Sequence, residues 1–398
     1  MTSPLARPRA LARTGYGEDP MWERAADAAL AELALTACDL LLVSTSAHFA
    51  PDLPELTQRL WTATSAPILF GAASQSILID EVEREATPSV GILALQLPGA
   101  IISTTRISNQ VLEHASDGRY FRERLNVLPE DVNGWIILAD PFRFNTGRLV
   151  DLLSEGFPHA QIIGGLIAPD PTTRQASLLL YPDVISDGAI ILGIGGPYAI
   201  FPVLSHGTDP IGDAWTITGT EGEWINTIAN RPALELVEET LLRVPGDLRA
   251  RTRANLLAGF VIDEYRLDYV RSDFVVRSIT GIDQATGAIA TGYHAQPGQT
   301  IQFQLRDQAT ADLDLTLALD GARLELTGRR PIAGFGQYSN VRGQAFFGAP
   351  HHDAALIRKK FPHVPILGLT TAAEIGPASG STIVNTGSFA LGILYDTI

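Results

Sequence analysis

Two short polar segments near the end of the chain carry residue types that could bind a small molecule. The first, Tyr338–Gly343 (YSNVRG), places a hydroxyl, an amide and a guanidinium in a short turn after an apolar stretch. The second, Thr370–Pro377 (TTAAEIGP), ends an apolar strand with small residues and one carboxylate. A guanidinium such as that of Arg342 binds a carboxylate through two hydrogen bonds, and Glu374 could bind an ammonium group. If the two strand ends meet, they suit a zwitterion such as an amino acid.

The same two charged residues have a purely structural interpretation. Arg342 and Glu374 could pair with each other or cap local turns, because ion pairs that hold a fold together also gather in clefts. The residues alone leave both interpretations open.

The densest cluster of metal-capable side chains is His351, His352 and Asp353. Adjacent histidines point in different directions on a helix or a strand, and no His-x-x-x-His pair completes a metal site. Asp353 precedes the apolar run Ala354–Phe361, where a carboxylate favours a helix start. We predict neither a metal nor a cofactor. An uncharacterised hydrolase using these three side chains in the same crevice is the alternative function.

Other common chemistries find no support. The segment Gly193–Pro197 lacks the later glycine and the following helix of a phosphate-binding loop. Cys38 is the one cysteine, and its acidic neighbour Asp39 raises the pKa of a thiol, which opposes a role as nucleophile. No Gly-x-Ser-x-Gly motif nominates a catalytic serine. The residues therefore favour a binding protein over an enzyme.

These segments must be positioned by a mixed set of strands and helices. Apolar runs predict strands at 40–46, 67–70, 90–97, 135–139, 161–167, 177–180, 189–194, 260–265, 274–278, 288–293, 300–305, 366–370 and 388–394. Helical periodicity predicts helices at 21–36, 53–64, 145–155, 232–243, 308–319 and 353–361. The strands at 177–180 and 189–194 read as an antiparallel hairpin. Strand and helix do not alternate strictly, so we predict an α+β fold with mixed, largely antiparallel sheets covered by helices.

The chain divides into two related parts after a tail. Residues 1–18 lack periodicity and read as a flexible tail, followed by domains at 19–229 and 230–398. Pro67–Leu69 and Pro365–Leu367 each start an apolar strand that ends in small residues, and Gln161–Gly165 is a weaker third copy. We expect a crevice between the two parts or at the ends of these strands, where backbone approaches closely.

Composition excludes several classes of partner. The chain has 398 residues, of which 45% are hydrophobic and 18% charged, which excludes intrinsic disorder. Its formal net charge of −15 disfavours nucleic acid and anionic membrane surfaces. The most apolar stretch, Gly188–Leu204, is broken by glycines and prolines, and no apolar run follows the first arginines as a signal peptide requires. We expect a cytoplasmic protein without membrane insertion.

The order of motifs along the chain resembles the FIST family, a two-part sensory module. In the first part the similar segments are Asp39–His48, Gly71–Gly99, Leu178–Gly196, Glu221–Gly222 and Arg231–Glu235. In the second part they are Gly292–Asp307, Ser339–Gly343, Phe347–Gly348, Asp353 and Ala373–Pro377. The turn Ser339–Gly343 resembles the family's Cys-Asn-Gly-Arg-Gly turn. Here Ser339 replaces the cysteine and Val341 a glycine, which removes thiol chemistry and disfavours a left-handed backbone. Ala373 replaces the glycine that commonly precedes Glu374.

The resemblance implies a sensor of small ligands, with amino acids as the suggested class and no established reaction. The predicted ligand-binding residues are Ser339, Asn340, Arg342, Gly343, Glu374 and Gly376. The chain leaves no room for a signalling domain, so we expect output through a separate partner or self-association. A third interpretation is an interaction scaffold without a pocket.

Overall fold

The structure is a computed structural model that describes residues 9–34, 37–169, 174–266 and 268–397. It forms two compact units. Unit 1 comprises Met1–Leu204, Ala318–Pro377 and Gly387–Ile398, and unit 2 comprises Ser205–Leu317 and Ala378–Thr386. Within the described residues, no helix is both long and apolar enough to span a bilayer. The α+β class and the two-part arrangement predicted from the sequence are confirmed.

The helices mostly cover the sheets. They are α1 (Trp22–Leu33), α2 (Leu53–Thr64), α3 (Asn109–His114), α4 (Gly118–Leu125), α5 (Thr146–Gly156), α6 (Ala233–Arg243), α7 (Gly246–Ala254), α8 (Gln308–Glu325), α9 (Gln344–Phe347) and α10 (His352–Lys360). Short 3-10 helices lie at Ala47–Asp52, Pro129–Asp131 and Arg271–Asp273.

The strands form three sheets. In the first half of the chain they are β1 (Leu11–Glu18), β2 (Leu40–Ser46), β3 (Ile68–Ser74), β4 (Ser76–Ile79), β5 (Val82–Glu85), β6 (Ser89–Gln96), β7 (Ile101–Ile107), β8 (Gly134–Ala139), β9 (Gln161–Ile167), β10 (Ser177–Leu180), β11 (Asp183–Ile185), β12 (Ala189–Gly195) and β13 (Tyr198–Ser205). In the second half they are β14 (Asp209–Pro210), β15 (Trp215–Glu221), β16 (Trp224–Ile228), β17 (Arg231–Pro232), β18 (Leu256–Val261), β19 (Phe274–Ser278), β20 (Gly281–Asp283), β21 (Ala288–Ala290), β22 (Thr300–Leu305), β23 (Arg330–Ser339), β24 (Ile366–Ala378), β25 (Ser381–Asn385) and β26 (Phe389–Asp396).

Unit 1 repeats one strand arrangement three times. Module 1 has the order β1-β6-β2-β3, module 2 the order β7-β12-β8-β9, and module 3 the order β13-β26-β23-β24. In each module the last two strands are parallel and are joined by helix, as a parallel pair requires. The third strand pairs antiparallel with the second. Modules 2 and 3 form one sheet because β9 pairs antiparallel with β24.

This repetition explains the similarity seen in the sequence. Strands β3, β9 and β24 begin the three similar segments around residues 67, 161 and 365, and each occupies the same position in its module. The structure therefore contains three related modules in unit 1, where the sequence suggested two related parts with a weaker third copy.

The unit 1 core lies between the two sheets. It contains hydrophobic side chains from all three modules, including Leu42, Ile136 and Phe335. A second cluster, which includes Val43, packs the other face of the first sheet against α1 and α2. Strand β2 is buried throughout, which explains its apolar run Leu40–Val43.

Unit 2 has its own sheet and core. Its main strand order is β19-β18-β22-β15-β16-β21-β20. Helix α6 covers one face through an apolar cluster that includes Leu236, Phe260 and Phe303.

The prediction of a flexible tail over residues 1–18 is wrong where the structure describes it, while residues 1–8 lie outside the described part. Leu11–Glu18 form β1, which pairs with β6 over its whole length. Gly15 and Gly17 mark close packing here, because an added Cβ would lie 2.1 Å from Ala29 O and 1.9 Å from Ala25 O. Without side chains these glycines let α1 rest on the strand, which hid the strand pattern.

The predicted hairpin between 177–180 and 189–194 is also wrong. Strand β10 pairs with β3 and β11 in one sheet, whereas β12 pairs with β7 and β8 in the other. The hairpin partner of β10 is the short strand β11, whereas the sequence pattern had predicted β12. The predicted helix at 21–36 ends at Leu33, and positions 35 and 36 lie outside the described residues.

Candidate functional site

In unit 1 the carboxyl ends of β3 and β9 meet β24 at Thr370, next to Thr371, where its parallel pairing with β23 ends. The Gln75 amide donates to Ala168 O at 3.1 Å, and the Ala168 amide donates to Thr370 O at 3.1 Å. The Thr370 amide donates to Ser74 Oγ at 3.3 Å, and Thr370 Oγ1 accepts from the Ser76 amide at 2.9 Å. We call this set the strand-end junction. It joins the equivalent strands of all three modules, and carboxyl ends of parallel strands commonly bind ligands.

The core between the sheets becomes polar toward these strand ends. On the core-facing side of β2, Leu42 is followed two residues later by Ser44, and on β23 Phe335 is followed by Gln337. Both polar side chains are fully buried, and neither Ser44 Oγ nor Gln337 Oε1 has a hydrogen-bond partner among the described residues. Buried polar groups of this kind usually form a hydrogen bond to the protein or to an ordered water. The carboxyl end of the core is therefore chemically distinct from its aliphatic centre.

Glu374 is fully buried beside the junction. Its carboxylate accepts from Thr371 Oγ1 at 2.7 Å and from the Ser388 amide and Oγ at 2.9 and 2.6 Å. Between Thr371 and Ala373 the register against β9 shifts, so β24 bulges just before the carboxylate. Bulges often re-aim a side chain. Hydroxyl and amide donors thus stabilise the carboxylate where an ion-pair partner was expected from the sequence.

Arg342 forms a buried two-pronged ion pair with Asp353. Arg342 Nε donates to Asp353 Oδ2 at 2.6 Å and Nη2 donates to Oδ1 at 2.9 Å, and both side chains are 1% exposed. Burial opposes ionisation of Asp353, but the adjacent guanidinium outweighs it and holds the pKa of the carboxyl below its usual value. Arg342 therefore does form a structural ion pair, but among the described residues its partner is Asp353 and not Glu374.

The β4–β5 hairpin supplies carboxylates to two helix starts. Glu83 Oε1 accepts from the Ala354 amide at 2.8 Å in the first turn of α10. Glu85 Oε1 accepts from the Gln344 amide at 2.7 Å at the start of α9. At Gly343, φ is +141° and an added Cβ would lie 2.7 Å from Glu85 Oε1, so only glycine allows this approach. The helix start predicted at Asp353 is confirmed. The carboxylate that accepts a hydrogen bond from an amide of this first turn is, however, that of Glu83.

Glu83 has an unusual ionisation. It is 4% exposed, and burial together with the nearby Asp353 carboxylate raises its pKa to about 7, against the lowering effect of the Ala354 amide. The buried Tyr338 hydroxyl has no partner among the described residues. Burial and the charges of Glu83 and Glu85 raise the pKa of Tyr338 well above its usual range. This corner of unit 1 therefore concentrates negative charge around Arg342.

The two histidines make different contacts. His351 Nδ1 accepts from the Glu83 amide at 3.1 Å. The His352 ring stacks on Phe347 with centroids 3.7 Å apart, and its Nδ1 lies 3.2 Å from Asp353 Oδ1. His351 thus contacts the Glu83 backbone, whereas His352 contacts Phe347 and Asp353. These separate contacts give little support to one catalytic cluster of His351, His352 and Asp353. Among the described residues, no group of three or more His, Cys, Asp or Glu side chains could hold a metal ion.

The remaining predicted site residues act mainly through their backbone. β23 and β24 pair in parallel, with Ser339 opposite Thr371. The end of β23 therefore lies beside Thr371, but the strand end predicted at Thr370 is wrong, because β24 continues to Ala378 and contains Glu374. The Ser339 amide donates to Ser388 O at 3.1 Å, and the Asn340 amide donates to Thr371 O at 2.9 Å. The Asn340 side chain is exposed. Gly376 packs against Leu204, which an added Cβ would approach to 3.1 Å.

Sequence reasoning missed Glu83, Glu85 and Ser388. The two glutamates lie about 270 positions before the helices that they cap, and nothing local in Val82–Glu85 indicates such partners. The available sequence signal was that Glu83 and Glu85 lie two positions apart in a short strand, which places both side chains on one face.

Comparison with known proteins identifies relatives along nearly the whole chain. A family model described as FIST N domain matches residues 39–231, and one described as FIST C domain matches residues 233–377. An uncharacterized protein of Mycobacterium tuberculosis is 31% identical over 325 residues, which cover 81% of this chain and 83% of that protein. An uncharacterized protein of Mycobacterium bovis is 29% identical over 393 residues, covering 98% and 96%.

Among solved structures, cyanuric acid hydrolase from A. caulinodans aligns with 98% of this chain and 100% of its own, at 9% identity and a TM-score of 0.34. A TM-score this low does not establish a shared fold. FIST domains are small-ligand sensory domains of signalling proteins. Because the two adjacent family matches together span most of its length, the chain belongs to the FIST family.

Proposed function

We propose that the protein senses an amino acid or a similar small carboxylate at the carboxyl end of β23, beside Thr371 and Glu374 of β24. The proposed ligand-binding residues are those predicted from the sequence: Ser339, Asn340, Arg342, Gly343, Glu374 and Gly376. The observation that carries the proposal is the strand-end junction, where equivalent strands of three modules converge beside a buried carboxylate. Small-ligand sensing by the family supports the same function.

The ion pair of Arg342 suggests how binding is converted into a signal. Asp353 presents its carboxylate to the guanidinium in the two-pronged geometry that a ligand carboxylate would also adopt. In the proposal the ligand competes with Asp353 for Arg342, and binding frees the first turn of α10. Ligand occupancy is thereby coupled to the conformation of a helix start held by Glu83.

Glu374 supplies the second recognition element. In the proposal its carboxylate exchanges a hydrogen bond from Ser388 or Thr371 for one from the ligand's ammonium group. An ammonium donor brings a positive charge to the carboxylate, which the neutral hydroxyl donors lack, and this attraction favours the exchange. A ligand with both groups would then bind better than either a simple carboxylate or a simple amine.

The signal leaves through a separate signalling protein or through self-association. We also assign the protein to the cytoplasm, and we propose neither nucleic acid nor membrane as a partner. The net charge of −15 supports the exclusion of nucleic acid, because like charges repel.

The test is a thermal-shift screen of the purified protein against the amino acids, matched carboxylates and matched amines. A ligand at 100 times its Kd adds about 2.7 kcal/mol of stability, which raises the melting temperature. Asp353→Asn removes the internal competitor, so the ligand-induced rise should exceed that of the wild type. Glu374→Gln should abolish the preference for amino acids over carboxylates, while Glu55→Gln, on the exposed face of α2, should change nothing.

Two results would overturn this proposal. One is the absence of any shift across the panel. The other is a ligand whose affinity is unchanged in both Asp353→Asn and Glu374→Gln, since its site must then lie elsewhere.

A further inference from the structure

A separate pocket in unit 2 has the composition of a site for a small apolar ligand. Its volume is about 280 Å³, and it lies among α6, α7, the start of β18 and the segment 279–284. The apolar lining residues are Leu234, Val237, Leu241, Leu256, Ile279 and Ile282. Concave aliphatic surfaces with a few polar groups at the mouth are typical of ligand sites, and this volume suits a small ligand.

Hydrogen bonds fix the walls of this pocket. Arg249 on α7 donates from Nε to Leu241 O at 3.1 Å and from Nη2 to Leu242 O at 3.2 Å. These bonds satisfy carbonyls at the end of α6 and attach the two helices to each other. At the other end of α6, the Leu234 amide donates to Gly287 O at 2.8 Å in the β20–β21 hairpin. The pocket is therefore preformed.

The mouth of the pocket carries one cation and one anion. Glu238, Arg253 and Gln284 line it with their polar groups. In the described part of the chain, neither Glu238 nor Arg253 has an ion pair or a side-chain hydrogen bond. Other charged groups of α6 are engaged, because Arg231 pairs with Glu235 and Glu239. The two uncommitted charges thus lie specifically where an aliphatic pocket opens.

We propose that this pocket binds a small aliphatic carboxylate whose head group pairs with Arg253. The hydrocarbon part fills the floor formed by Val237, Leu241 and Leu256, where removal from water stabilises it. A free guanidinium at the mouth provides two donors for a carboxylate. Glu238, which also lines the pocket, is available for a ligand that has an amino group. This site shares no residue with the strand-end junction, so it does not depend on the function proposed above.

The experiment measures binding of isocaproate, leucine and isoamylamine to the full chain by isothermal titration calorimetry. Both carboxylates should bind and isoamylamine should not. Loss of a charge-assisted hydrogen bond in Arg253→Gln should weaken binding by about ten- to a hundredfold. Arg124→Gln, at an exposed arginine on α4, is the matched control and should bind as the wild type does. Glu238→Gln should weaken leucine alone.

A second variant separates binding from folding. Ala254 lines the pocket but is exposed, so Ala254→Phe fills the space and should abolish binding without lowering the melting temperature. The proposal is overturned if neither carboxylate binds at millimolar concentration, or if Arg253→Gln and Ala254→Phe bind them as the wild type does. Glu374→Gln should leave isocaproate binding intact. Loss of binding in that variant alone would assign the ligand to the strand-end site.

Discussion

At the scale of single residues, the pair Arg342–Asp353 determines how the turn after β23 is held. Two charged groups that are each 1% exposed have lost most of their hydration, and their mutual attraction compensates only while both are present. The sequence suggested Arg342 as a ligand-binding residue, and the structure adds that it already has a carboxylate partner. Any ligand carboxylate must therefore compete with an internal one.

We predict strong non-additivity at this pair. Arg342→Ala should lower the free energy of unfolding by about 3–5 kcal/mol, because it leaves Asp353 buried without a countercharge. The double variant Arg342→Met with Asp353→Leu should be much closer to the wild type, since it removes both charges. Chemical denaturation of Arg342→Met, Asp353→Leu and the double variant gives the coupling energy. Additive losses would contradict a buried pair.

A pH dependence belongs to Glu83. Its pKa rises from 4.5 to about 7 on folding, so ionisation of Glu83 opposes folding. This destabilisation is absent below pH 4.5, grows between pH 4.5 and 7, and is constant at higher pH. The charged and titratable groups that face it are Asp353, Glu85, Arg342 and His351.

We therefore expect Glu83→Gln to match the wild type near pH 4 and to be more stable than the wild type at pH 8. The amide oxygen of glutamine can still accept from Ala354, so the helix start keeps its hydrogen bond. Thermal unfolding of both proteins across this pH range measures the difference, in which the contributions of the facing groups largely cancel. A difference that is independent of pH would show that Glu83 keeps an ordinary pKa.

At the scale of elements, the sequence predicted strands and helices correctly where their own pattern of apolar residues determined the structure. The strands at 40–46, 161–167 and 300–305 and the helix at 53–64 have the bounds predicted from their apolar runs. The prediction was wrong where packing against another element determined the structure, as it does for β1, which packs against α1. The same holds for the site: the sequence marked the segments around Ser339 and Thr371, which lie side by side, but capping by Glu83 depends on tertiary structure.

The close approach of β1 and α1 gives an element-scale prediction. Gly17→Ala places a Cβ 1.9 Å from Ala25 O, so the helix must move off the strand, at a cost of about 1–3 kcal/mol. Gly147→Ala is the matched control, because its Cβ would meet nothing nearer than 3.8 Å at an exposed position of α5. It should stabilise by about 0.5–1 kcal/mol through helix propensity. Equal effects in a denaturant titration would show that Gly17 has no packing role.

At the scale of the whole molecule, three modules explain why polar residues far apart in sequence come together. Each module ends its parallel pair at the same point of its fold, and the hydrogen bonds of Gln75, Ala168 and Thr370 join those ends. Along the chain, most of unit 2 is inserted in module 3 between β13 and β23. The repeated unit thus supplies the candidate site, and the inserted unit supplies a separate pocket.

Because each unit has its own hydrophobic core, we predict that the two units unfold as separate cooperative units. Phe303→Ala in the core of unit 2 should cost about 3–5 kcal/mol and accelerate hydrogen exchange at the amides of β18 and β22. The Ala168 amide in the strand-end junction should keep its protection. Phe335→Ala in the core of unit 1 should have the opposite effect, lowering the protection of Ala168 and leaving β18 and β22 unchanged. If either variant accelerates exchange equally in both places, the chain unfolds as one cooperative unit, and a ligand bound in unit 2 would stabilise the strand-end junction as well.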